Sequence, residues 1–149
     1  MKPNTTIVFL LEQAKEHYEK TTRDLGMATQ KRDKELQKTT LLEGYLQEYR
    51  DRLQQGSEHG MRVSDLVNFQ GFIAKLLEAL EQQQRALFMS ERNLDRAREQ
   101  WREANRKMKS FEILLERRRA AAELSETRRE QREMDAYAAR ASLTRQSVY

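Results

Sequence analysis

The clearest pattern in the chain lies at residues 66–115, LVNFQGFIAKLLEALEQQQRALFMSERNLDRAREQWREANRKMKSFEILL. Apolar residues recur there in alternating steps of three and four, and thirteen of the fifteen positions visited are apolar. A strand would alternate every two residues, so the pattern predicts an α-helix with a coiled-coil seam. The seam positions are Leu66, Phe69, Ile73, Leu76, Leu80, Gln83, Leu87, Ser90, Leu94, Ala97, Trp101, Ala104, Met108, Phe111 and Leu115.

A second seam precedes it, with nine apolar residues at thirteen positions. Arg32 and Glu35 occupy two of the polar positions. They indicate a local opening of the seam, a polar layer that sets the register of the helices, or a contact with a partner. The seam positions are Leu11, Ala14, Tyr18, Thr21, Leu25, Ala28, Arg32, Glu35, Thr39, Leu42, Leu46, Tyr49 and Leu53.

A short link from Gly56 to Ser64 separates the two seams. Its two glycines, Gly56 and Gly60, release the chain, and Ser64 is placed to cap the second helix. Such a link reverses the chain. The sequence therefore predicts an all-α fold, an antiparallel two-helix coiled coil (a long helical hairpin) forming a single elongated domain over residues 1–149. Helix one should span about 5–56, the turn about 57–64 and helix two about 65–141, followed by a frayed tail.

The second helix should overhang the first, because at about 1.5 Å per residue helix one is roughly 75 Å long and helix two roughly 115 Å. Pairing outward from the turn leaves helix two without a partner after Leu115. The overhang contains Arg117, Arg118 and Arg119 and an alanine-rich stretch. An unpaired helix of this kind is a candidate for folding against another protein.

The composition limits the classes of function. Basic and acidic residues are balanced along the chain, with ten and nine in residues 1–56, ten and nine in 57–115, and eight and six in 116–149. This balance argues against an RNA- or DNA-binding helical hairpin, whose binding would depend on salt. The chain has no cysteine, and its apolar run at residues 7–11 is too short for a signal or membrane segment, so we expect a cytosolic protein.

No group of residues resembles a catalytic or metal site. His17 and His59 fall in different elements without metal-ligand spacing, and Gly26, Gly44 and Gly71 are isolated within helical pattern. We therefore expect no enzyme activity, no metal and no cofactor.

Several apolar side chains lie beside the seams rather than on them. Tyr45 and Phe72 take heptad position g, and the g edges of antiparallel helices face each other. They should lie on one flank near the turn, beside Tyr49, Leu76 and Leu42. Large aromatic residues on a flank indicate a docking surface or ordinary flank packing.

These residues resemble the FliJ family, a coiled-coil component of the bacterial flagellar type III export apparatus. The resemblance covers nearly the whole chain and rests on motifs in a fixed order: Tyr45-x-x-x-Tyr49-Arg50, Asn68-Phe69-Gln70-x-Phe72-Ile73, Trp101-Arg102-Glu103, Arg119-x-Ala121-Ala122-Glu123 and Arg132-Glu133-Met134-Asp135-x-Tyr137-Ala138.

The resemblance implies a stalk similar to the shaft of the rotary ATPase gamma subunit. Its free end would dock into a hexameric export ATPase and favour assembly and activity of the ring. Our own hypothesis for the residues that contact the ring is Leu11, Arg117, Arg118, Arg119, Arg128 and Asp135. Its turn end would bind the cytoplasmic domain of the membrane export gate through Leu42, Tyr45, Tyr49, Phe72, Leu76 and Ala79. Lys38 and Gln83 depart from the family's pattern, in which glutamine and histidine are familiar.

The resemblance further implies a role in motility and in escorting substrate chaperones. It also implies a cytoplasmic location, held peripherally at the inner membrane by the export apparatus, and a monomer in isolation. Two alternatives remain open. One is a coiled-coil scaffold that self-associates through its seams, and the other is the equivalent stalk of a virulence type III secretion system.

Overall fold

A computed structural model of the protein describes residues 3–147, which form two helices. Helix α1 spans Pro3–His59 and helix α2 spans Val63–Ser147, and residues 3–147 contain no strand. The two helices pack against each other, so the predicted all-α helical hairpin is confirmed. Helix α2 continues past its predicted end near residue 141, because neither glycine nor proline follows Gly71 in the sequence.

The turn is shorter than predicted and consists of residues 60–62. Gly60 ends α1 with a φ of 87°, a conformation that glycine adopts without steric cost. The Leu66 amide donates to the Arg62 carbonyl at 3.0 Å, which makes Arg62 the N-cap. The prediction of Ser64 as the cap is therefore wrong, since Ser64 lies inside α2.

The chain divides into two compact units, each of which joins a segment of α1 to a segment of α2. The turn unit is Glu19–Glu103, and the terminal unit is Met1–Tyr18 with Ala104–Tyr149. The single elongated domain expected from the sequence stays a prediction.

In the turn unit the helix segments run antiparallel. Trp101 Nε1 donates to Thr22 Oγ1 at 3.0 Å, and Gln83 Nε2 donates to the Glu35 carbonyl at 3.1 Å. Residue numbers therefore fall on α2 as they rise on α1. Leu94, with 1% of its surface exposed, is the most deeply buried large side chain of the described residues.

In the terminal unit Ile7, Leu11 and Leu115 form a buried cluster, against which Val8, Met108 and Phe111 pack. Beyond this cluster, residues 116–140 of α2 are all exposed. This exposed segment is the predicted overhang, and it begins where the sequence placed it. Within both units, every position of the two seams is buried or half-buried.

We expect Leu94→Ala to lower the free energy of unfolding by about 2–5 kcal/mol, because it leaves a cavity where the helices meet. Leu124→Ala is the matched control, since Leu124 is 52% exposed on the overhang and should change stability by about 0.5 kcal/mol or less. Urea denaturation followed by circular dichroism measures both. Equal losses in the two variants would contradict the assignment of the seam as the core.

Candidate functional site

Six candidate docking residues lie in the turn unit, and we call them the aromatic patch: Leu42, Tyr45, Tyr49, Phe72, Leu76 and Ala79. The seam supplies the base of this patch. Leu42 and Tyr49 pack against a buried cluster that contains Leu76. The other members of that cluster are Leu46 and Leu80, with Ile73 packed alongside.

Three aromatic rings from the two helices stack at the patch. The rings of Tyr49 and Phe72 lie 4.4 Å apart between centroids, and those of Tyr49 and Phe69 lie 5.9 Å apart. Both distances fall in or next to the range in which aromatic pairs attract each other. The Arg52 guanidinium lies 5.5 Å from the centre of the Tyr49 ring, close enough for a cation–π contact. Phe69, which the sequence assigned only to the seam, therefore belongs to the ring stack.

The outer part of the patch is open to solvent. Tyr45 is 44% exposed and Phe72 is 43% exposed, while Leu76 in the seam is only 8% exposed. A patch with a rigid base and half-exposed aromatic rings is typical of a protein-docking surface. Because Tyr49 comes from α1 and Phe69 and Phe72 from α2, these ring contacts depend on how the two helices pair.

An apolar groove on α1 adjoins Tyr45 and was not predicted. Leu36 and Leu41, both about half exposed, flank Gly44 in this groove, and a Cβ on Gly44 would meet no other atom within 4 Å. The signal in the sequence is a pair of leucines that lie off the seam, followed by a glycine. The groove is lined by Leu36, Gln37, Thr40, Leu41, Gly44, Tyr45 and Glu48.

A polar layer crosses the seam next to the patch. Glu35, 4% exposed, accepts a hydrogen bond from Gln83 Nε2 at 2.5 Å and pairs with Lys31 Nζ at 2.9 Å. Lys38 Nζ lies 3.7 Å from the same carboxylate. At Glu35 this geometry supports the polar-layer interpretation, whereas Arg32 pairs locally with Asp33 at 2.8 Å. Gln83, which departs from the family's docking pattern, thus bonds inward to Glu35.

The contacts of Glu35 change its acidity. The hydrogen bond from Lys31 is the largest influence that lowers the pKa of Glu35, and the bond from Gln83 lowers it further, against the opposing effect of burial. The carboxylate is therefore ionised in the folded protein at neutral pH. Ionised Glu35 then contributes to stability wherever the pH exceeds its ordinary pKa of 4.5.

We expect the stability difference between the wild type and Glu35→Gln to depend on pH. The wild type should melt higher near neutral pH. Because the folded-state pKa lies below 4.5, this advantage should shrink as the pH falls from that value through the folded-state pKa. Thermal melting across the acid range measures it, and an advantage that grows on acidification would contradict the paired carboxylate.

The candidate ATPase contacts lie in the terminal unit and are not all brought together. Leu11 is buried in the seam, although it lines the same shallow cleft as Arg119. Arg117 and Arg118 are exposed beside Arg119 at the start of the overhang. Further along it, Arg128 is exposed and Asp135 accepts a hydrogen bond from Gln131 at 3.1 Å.

The described part of the chain lacks a metal-binding cluster and a membrane-spanning stretch. Residues 3–147 contain no cluster of three or more histidine, cysteine, aspartate or glutamate side chains that could hold a metal ion. Neither helix, within those residues, has a stretch apolar enough to cross a membrane.

Comparisons with known proteins agree on one family. The sequence profile of the family described as flagellar FliJ protein matches residues 4–147. A flagellar FliJ protein of Salmonella typhi is 34% identical over 103 residues, which is 69% of this chain and 70% of that protein. A flagellar FliJ protein of Escherichia coli strain K12 is 29% identical over 143 residues, 96% of this chain and 97% of that protein.

One solved structure is also similar, a Chlamydia trachomatis chain described as a putative YscO homolog. The alignment has a TM-score of 0.47 and 13% sequence identity, and it covers 91% of this chain and 88% of that chain.

Proposed function

This chain belongs to the flagellar FliJ protein family, and from that premise we propose that it acts as a stalk-like docking protein between two parts of the flagellar export machinery. Membership makes it a component of flagellar protein export. We further propose that it works without catalysis of its own, joining the hexameric export ATPase to the cytoplasmic domain of the membrane export gate. Its place would then be the cytoplasmic side of the inner membrane, where the export apparatus holds it peripherally.

The proposed contact with the export gate rests on the aromatic patch. Phe72 and Tyr45 are each more than two-fifths exposed, while Leu42 and Tyr49 of the same patch pack against the buried cluster that contains Leu76. Exposed aromatic rings on a rigid base lose little conformational entropy on binding and contribute strongly to protein interfaces. A hydrophobic recess on the gate domain would cover these rings, and the neighbouring Arg52 would add a polar contact at the rim.

We expect Phe72→Ala to weaken binding to the gate's cytoplasmic domain by about tenfold or more, because aromatic residues at the centre of an interface carry much of its free energy. Phe88→Ala is the matched control, since Phe88 is an exposed phenylalanine of α2 outside the patch, at 57% exposure. Isothermal titration with the purified gate domain measures both. Equal affinities of the wild type and Phe72→Ala would exclude the patch as the surface that binds the gate domain.

The overhang of α2 supports the ATPase contact. Residues 116–140 are exposed, and Arg117, Arg118 and Arg119 concentrate positive charge at the point where α1 ceases to cover α2. A helix of this kind fits an opening lined by acidic groups, because guanidinium groups bind carboxylates through paired hydrogen bonds. Assembly of the ring around the overhang would raise ATP hydrolysis without any chemistry in this chain.

We expect replacement of Arg117, Arg118 and Arg119 by alanine in the full chain to reduce the stimulation of ATP hydrolysis by the cognate export ATPase. The control replaces Arg92, Arg96 and Arg98, which removes the same charge elsewhere on α2. Hydrolysis is measured below the concentration at which the ATPase assembles alone, at low and moderate salt. Undiminished stimulation by the 117–119 variant would contradict the arginine contact.

Substrate chaperones are a third class of partner that we propose, on family membership alone. We do not expect replacement of Arg117, Arg118 and Arg119 to weaken chaperone binding. Binding of purified chaperones to the same variants therefore separates this role from the ATPase contact.

A further inference from the structure

We infer that Glu35 and Gln83 are positioning residues that select the one helix register in which the aromatic patch exists. The bond between the two side chains crosses from α1 to α2 and is shielded from water, with Glu35 only 4% exposed. The consequence for docking rests on the proposed function, whereas the selection of register does not.

The apolar seam alone distinguishes poorly between registers. In a coiled coil with a seven-residue repeat, a slip of one heptad brings apolar positions opposite apolar positions again. Leu46 now packs with Leu76, and after a slip it would meet Phe69, another large apolar side chain. The hydrophobic free energy of the two arrangements would therefore be similar.

The turn offers a second place to reverse the chain. Moving the centre of a hairpin turn by three to four residues changes the partner of every residue by about one heptad. The present turn uses Gly60, and Gly56 lies one helical turn earlier. A reversal at Gly56 would shift the register by about seven residues. Glycine is the residue best suited to end a helix at either position.

The polar layer opposes this shift. A slip of seven residues toward Gly56 places Glu35 opposite Leu76 and Gln83 opposite Ala28. The carboxylate would keep Lys31 and Lys38 on its own helix but would face a leucine in place of its amide donor, and the Gln83 amide would lose its acceptor. Both changes are unfavourable, since a shielded polar group that loses its hydrogen-bond partner costs far more than a buried hydrocarbon.

The same slip would dismantle the aromatic patch. Phe72 would move from Tyr49, where the ring centroids are 4.4 Å apart, to a position opposite Leu42. Tyr49 would then lie about two helical turns from Phe72, so the ring pair that now joins α1 to α2 at the patch would be lost. The Glu35–Gln83 bond therefore acts on docking through the position of Phe72, although neither side chain belongs to the patch base.

The test uses cysteine crosslinking, because the chain contains no cysteine of its own. One pair, Leu46→Cys with Leu76→Cys, reports the present register. The other pair, Leu46→Cys with Phe69→Cys, reports the register shifted by one heptad. Each pair is placed in four backgrounds: wild type, Glu35→Leu/Gln83→Leu, Glu35→Gln and Glu81→Leu. Glu35→Gln is the conservative rescue variant. Glu81→Leu is the control, because it removes only an exposed ion pair with Arg85.

In the wild-type, Glu35→Gln and Glu81→Leu backgrounds we expect mainly the first crosslink, because the amide introduced by Glu35→Gln would still offer an acceptor oxygen to Gln83. In Glu35→Leu/Gln83→Leu the shifted crosslink should rise by about tenfold or more, while the melting temperature stays the same or increases. A shifted crosslink that is equally abundant in all backgrounds, or absent from the apolar double variant, would overturn the inference.

Binding of the cysteine-free double variant to the gate domain separates this inference from the proposed function. A shifted register with weakened gate binding supports both. A shifted register with unchanged gate binding supports the positioning role and contradicts docking through the aromatic patch.

Discussion

A single seam between two helices, with an apolar residue every three or four positions, is the constraint on which the rest of this structure depends. With 35% charged residues and 38% hydrophobic ones, the chain leaves many apolar side chains exposed, and those that it buries lie mainly along this line. Polar seam residues are tolerated because they are bonded internally. Thr39 donates to the Glu35 carbonyl and Ser90 to the Leu87 carbonyl, and no buried side-chain nitrogen or oxygen of the described residues lacks a partner.

The proposed docking surface is built largely from apolar residues that lie beside the seam positions. A heptad needs two apolar positions, and a third apolar residue beside them stays partly in water. Tyr45 and Phe72 are such residues in the turn unit, and the Phe72 ring contacts Tyr49, which packs against the buried seam cluster. Because the patch residues come from both helices, their arrangement depends on the register in which the helices pair. Binding at the patch and register at the polar layer are thus coupled through the same interface.

The sequence predicted the fold well because its periodicity is a direct consequence of helix packing. The antiparallel pairing and the start of the overhang after Leu115 follow from the same repeat. The turn was less predictable, since two glycines one helical turn apart both permit a reversal, and only the structure shows that Gly60 is used while Met61 packs where a Cβ on Gly56 would lie. The groove at Gly44 was missed because seam arguments ignore the outer face of a helix. Glu35 could be located on the seam, but its partner could not, because the pairing depends on the register.

The proposed link between the export ATPase and the export gate is tested most directly by a bridging measurement. The cytoplasmic domain of the gate is immobilised on a sensor surface, and the cognate ATPase is passed over it with and without the full chain. Binding of the ATPase that appears or increases strongly only in the presence of this chain is the predicted result. ATPase binding that is the same without the chain, while the chain itself is folded and helical, would contradict a stalk that joins the two.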